Sequence, residues 1–65
     1  MDHPERRFMI EHNGRLLDTI RVFNTRALSN VLLMLGITYG DELAERAFLR
    51  GYAEYGYLVV RELLL

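Results

Sequence analysis

The sequence predicts an α+β fold. A β-hairpin, two helices and a C-terminal strand (ββααβ) form a small three-stranded antiparallel sheet packed on helices. Three observations carry this reading. Apolar residues flank Asn13-Gly14 on both sides, two stretches between Asn24 and Gly56 place apolar residues at helical spacing, and β-forming Leu58-Val59-Val60 follow that last glycine.

The 65 residues make a single small domain, 1–65, with residues 1–5 as a frayed lead-in. Arg7 to Glu11 reads as the first strand and Leu16 to Phe23 as the second. Asn-Gly between two such runs is a strong hairpin signal. A two-residue loop would pair Ile10 with Leu17 and strand Leu16, Ile20 and Val22 on the wrong face. A three-residue loop with Gly14 in a left-handed bulge position pairs Ile10 with Leu16. Phe8, Ile10, Leu16, Ile20 and Val22 then share one face, so the bulged loop is preferred.

Asn24 is a good N-cap, and Leu28, Val31, Leu32 and Leu35 follow at helical spacing until Gly36, which sets a first helix over 25–35. Its second half, Val31 to Leu35, is apolar all round, and such a helix is expected to be buried on every side. Thr38 and Asp41 have capping-box spacing for a second helix over 40–55. That helix carries Leu43, Ala44, Ala47, Phe48, Gly51, Tyr52 and Tyr55 on one stripe, with Glu42 and Arg46 as an i,i+4 pair. Gly56 ends it, and Tyr57 to Leu64 returns as the third strand.

Composition narrows function. There is no cysteine, so there is neither a disulfide nor a thiolate ligand or nucleophile. Hydrophobic residues make up 51% of the chain and twelve are leucine, a richness that sets it apart from disordered chains. A domain this small usually needs a staple or a partner, and self-association is the device left to it. A homodimer is expected through Val31, Leu33 and Met34. The longest apolar run, Val31 to Leu35, falls far short of the roughly 20 residues that span a bilayer. No secretory leader is visible, and a cytoplasmic protein without membrane contact is expected.

Few groups suggest catalysis. Ser29 is the only serine and has no histidine or acid at a helical spacing that would activate it, while His12 reads as a solvated turn residue. Met1-Asp2-His3 has the spacing of an amino-terminal copper motif but is too short to carry weight. No catalytic residue, cofactor or metal site is assigned.

All eight basic residues are arginine, and the net charge is −1. Residues 6 to 26 hold five arginines against Glu11 and Asp18, which makes the hairpin the basic side. Leu16 to Tyr55 reads strand–helix–turn–helix with Gly36-Ile37-Thr38 in the turn. This segment resembles the ribbon-helix-helix repressors, whose dimers push outward strand residues into the major groove. The resemblance would make the protein a dimeric DNA-binding repressor or antitoxin using Arg15, Thr19 and Arg21. The short first helix and the added strands depart from that pattern.

The preferred expectation is different. Tyr39, Tyr52, Tyr55 and Tyr57 gather around the second helix and its exit, beside the charged Glu42, Glu45, Arg46 and Arg50. Tyrosine and arginine dominate interface energetics. The sequence therefore reads as a small non-enzymatic regulator or inhibitor that binds a larger protein. Many such proteins are carried by prokaryotic phages and mobile elements and directed at host complexes.

Overall fold

A computed structural model describes residues 4–64. The elements run β1 (Arg6–His12), β2 (Arg15–Val22), α1 (Thr25–Met34), α2 (Gly40–Arg50), β3 (Tyr52–Tyr55) and β4 (Leu58–Glu62). The class is α+β, as expected, but the order is ββααββ and the antiparallel sheet has four strands, arranged β2-β1-β4-β3. Residues 1–3, which include His3 and most of the expected lead-in, lie outside the described residues.

The extra strand comes from an earlier helix stop. Gly51 takes φ 77° and donates its N–H to the Ala47 carbonyl, so α2 ends there and not at Gly56. A left-handed residue terminates a helix, and glycine adopts that conformation without a Cβ clash. Tyr52 to Tyr55 then turn extended, and Gly56-Tyr57 form the two-residue loop of a second hairpin. Only Gly56 of that loop has positive φ, 60°, the signature of a type II′ turn. Tyr52 and Tyr55 are therefore strand residues and not members of a helical stripe.

The first hairpin differs from expectation in its register. Asn13 and Gly14 have φ 59° and 79° and close a two-residue turn between His12 and Arg15. The bulge lies further along the strand. Glu11 pairs with Leu16 and Ile10 with Asp18, which leaves Leu17 unpaired. That extra residue achieves what the three-residue loop was expected to do. It returns Ile20 and Val22 to the face of Phe8 and Ile10. Leu16 is the exception, exposed on the opposite face.

The helices cover one face of the sheet. Phe8, Ile10, Val22, Ala53, Leu58 and Val60 supply the sheet side of the core, and Leu28, Leu32, Leu43, Ala44 and Ala47 the helix side. Asn24 caps α1 as expected, accepting from the Ala27 N–H at 2.8 Å. At its other end the Gly36 and Ile37 N–H groups return to the Leu33 and Leu32 carbonyls. The second half of α1 is not buried all round: Leu33, Met34 and Leu35 remain exposed. Nor does Thr38 cap α2, whose N-cap is Tyr39 with no side-chain bond. Gly40 lets the two helices meet, because a Cβ there would lie 2.9 Å from Leu32 Cβ.

Candidate functional site: a tyrosine-lined end and an open sheet face

Both hairpin turns and the α1–α2 connection lie at one end of the molecule. The Asn13 N–H donates to the Tyr57 carbonyl at 2.9 Å and ties the turns together. Tyr39, at the start of α2, packs its ring against Tyr55 with centroids 4.3 Å apart. Tyr55 is 58% and Tyr57 74% exposed. Beside them His12, Leu17, Leu35, Ile37, Tyr39 and Leu58 line a shallow hollow of about 310 Å³. Met34 stands free at the end of α1, 86% exposed. Loop residues and three tyrosines thus form a mostly apolar surface where polar turns are the norm.

The other expected contact residues are divided. Glu42 sits in the first turn of α2, next to Tyr39, whereas Arg50 lies at the opposite end of that helix. Arg46 is exposed between them and forms no ion pair with Glu42 among the described residues. Glu45 faces a groove of about 440 Å³ between the helices, together with Thr25, Arg26, Asn30 and Asp41. Of the residues assigned to a dimer contact, Val31 packs against the core while Leu33 and Met34 are exposed.

In the same groove the buried Ser29 hydroxyl donates to the Asp41 carboxylate. Sequence spacing found no acid for Ser29, because this one arrives from α2. The bond satisfies a buried hydroxyl and pins α1 to α2. No group of three or more metal-ligating side chains occurs among the described residues.

The sheet face away from the helices is uncovered. Strand alternation and pairing place three rows across it. Arg21 lies opposite Arg7 in the first row. Thr19, Met9, Arg61 and Tyr52 cross the middle. Leu16, Glu11, Val59 and Glu54 form the third. Thr19 and Arg21, expected as outward strand residues, do lie on this face, but Arg15 is at the turn. Arg61 reaches Glu11 diagonally at 3.4 Å. Hydrogen bonding to Glu54 pushes the Tyr52 phenol above its usual range. Arg7 was not assigned as a contact residue from the sequence, although it lies on this face opposite Arg21. Its partner Arg21 is remote in sequence until the hairpin register is known.

At the far end, Arg6 makes two 2.8 Å bonds to Glu62 and lies over the Phe48 ring, 4.4 Å from its centroid. The bond holds the Glu62 carboxyl below the ordinary glutamate range and raises the guanidinium further. Phe48 in turn stacks on Phe8 at 5.2 Å. This clasp is structural, and its members are too far apart in sequence to signal one another.

Compared with known proteins, the chain matches no family model, no curated protein and no solved structure. Among the described residues, no helix is long and apolar enough to cross a membrane.

Proposed function

We propose that the protein is a small non-enzymatic regulator or inhibitor that binds a larger protein, of the kind prokaryotic mobile elements direct at host complexes, and that it does so through its tyrosine-lined end. The observation that carries this reading is the Tyr39–Tyr55 pair with Tyr57 beside it, set against exposed Leu35 and Met34. Aromatic rings packed against one another lose little freedom on binding and supply large contact areas, which is how interface anchors work. Glu42 adds an acidic rim that would steer a basic partner. Leu33, exposed as well, lines the groove between the helices instead.

The test is a pull-down from bacterial lysate with the tagged full chain, repeated with nuclease and at high salt. A stoichiometric protein should survive both treatments, disappear with Tyr55→Ala or Tyr57→Ala, and remain with Arg21→Ala. The repressor reading, favoured by Thr19 and Arg21 sharing the open face with Arg7, makes the opposite forecast. It expects recovered DNA that falls away steeply with salt and is lost with Arg21→Ala.

A further inference from the structure

We infer that Arg7 and Arg21 form a binding site for a phosphomonoester dianion on the open sheet face, with Thr19 and Arg61 beside it. The register fixes how close the two arginines come. The Arg7 carbonyl accepts from the Leu63 N–H at 2.8 Å, so the backbone polar groups of Arg7 turn toward β4 and away from β2. Arg7 still lies directly opposite Arg21. The two therefore form a non-hydrogen-bonded pair, the narrow kind, with Cα atoms about 4.5 Å apart and side chains rising together from one face. Like charges at such a pair repel, and neither guanidinium has a carboxylate partner among the described residues. Glu5, two residues before Arg7, is exposed and pairs with neither. An anion between the arginines replaces that repulsion with attraction, and two planar donor forks converge on it.

The rest of the face decides which anion fits. In the next row Thr19 stands opposite Met9, diagonal to Arg7, and offers a hydroxyl. Arg61, opposite Met9 on the other side, is diagonal to both Arg7 and Glu11, about 7–8 Å from each. It holds Glu11 only at 3.4 Å and its side chain is 52% exposed, so it can swing to an anion at Arg7. The acids Glu11 and Glu54 lie in the third row, about 13 Å along the strands from the arginine pair. That exceeds the screening length of about 8 Å in physiological salt, so they leave a compact anion at Arg7 undisturbed. A nucleic-acid backbone running along the strands meets them, because its phosphates continue past the pair. The face thus suits one concentrated double charge and not a string of single ones. A phosphomonoester carries close to two negative charges at neutral pH on three acceptor oxygens. The site lies away from the tyrosine-lined end and does not depend on the partner reading above.

Heteronuclear NMR titration of the full chain with phenyl phosphate, in chloride buffer at constant ionic strength, tests the site, with circular dichroism confirming that each variant folds. The amide signals of Arg7, Thr19 and Arg21 should shift together and saturate. Dimethyl phosphate, a singly charged diester, should bind about tenfold more weakly. Arg7→Ala and Arg21→Ala should each weaken phenyl phosphate by about tenfold, while Arg15→Ala at the turn should change it by less than about twofold. Glu11→Gln frees Arg61 and should tighten binding by about threefold, a gain that damage to the fold could not produce, and adding Arg61→Ala should cancel it. A phosphoserine peptide that binds more tightly than phenyl phosphate assigns the site to a phosphorylated protein, and equal affinity assigns it to a small phosphorylated molecule. Absence of saturable shifts overturns the proposal. So does a diester that binds as tightly as the monoester, or an equal loss with Arg15→Ala. Duplex DNA bound more tightly than phenyl phosphate, and weakened alike by Arg7→Ala and Arg15→Ala, overturns it in favour of nucleic acid.

Discussion

Arg6 and Glu62, 56 residues apart, grip one another through two parallel hydrogen bonds of 2.8 Å across neighbouring strands. Both side chains are largely shielded, at 26% and 16% exposure, and Phe48 lies beneath the guanidinium. The paired geometry favours the charged forms of both groups and fastens the start of β1 to the end of β4.

Because the Glu62 carboxyl titrates below its unfolded value, its contribution to stability is complete above the ordinary glutamate range. It is lost as pH falls through the depressed folded value. At pH 7, Glu62→Gln should cost about 1–2 kcal/mol in urea unfolding. The gap from wild type should begin to close below about pH 4.3. A gap that stays constant down to pH 3 would show that the clasp contributes nothing through its charge.

Gly40→Ala should destabilise by about 1–3 kcal/mol, since the new methyl group meets Leu32 Cβ at 2.9 Å and part of the α1 backbone at 3.4 Å. A solvent-exposed helical glycine would instead gain stability on the same change. Thermal unfolding gives the sign directly, and a raised midpoint would refute the close approach of α1 and α2.

Leu17 matters more as a residue count than as a side chain. It is 45% exposed, so Leu17→Ala should change stability by less than about 1 kcal/mol. Deleting it removes the bulge and drives one end of β2 onto the wrong face, exposing Ile20 and Val22 or displacing the turn. The deletion should abolish cooperative unfolding, and equal effects from the two changes would sink this account.

Ser29 and Asp41 should behave as a unit. Asp41→Ala leaves a buried hydroxyl without its acceptor and should cost about 1–3 kcal/mol. Removing both partners together should cost clearly less than the sum of the single changes, and a double-mutant cycle measures the difference. Strict additivity would mean the bond is energetically silent.

Features encoded within a few residues were legible in the sequence. Asn24 and Gly36 bound α1, Asn13-Gly14 mark a hairpin, and the buried stripes of both helices follow from their spacing. Tyr52 to Tyr55 were not legible, because Tyr-Ala-Glu-Tyr satisfies a helical and an extended pattern equally, and only the left-handed Gly51 decides between them. The bulge at Leu17 was half visible. The need for an extra residue followed from Ile20 and Val22, but its position depends on the turn's preferred geometry. The tyrosine-lined end was legible in membership yet not in shape. Tyr39, Tyr55 and Tyr57 converge there, whereas Tyr52 emerges on the open sheet face. The Arg61–Glu11 contact and the Arg6–Glu62 clasp left no trace, since their partners come from strands far apart in the chain.

The strand order has a consequence for the time course of folding. β1 lies between β2, its immediate successor, and β4, the last strand delivered. The first hairpin and α1 can form from local contacts, but the centre of the sheet stays half-paired until β4 arrives. Closing that long loop is entropically expensive, so a folding chain holds an unpaired strand edge until β4 docks.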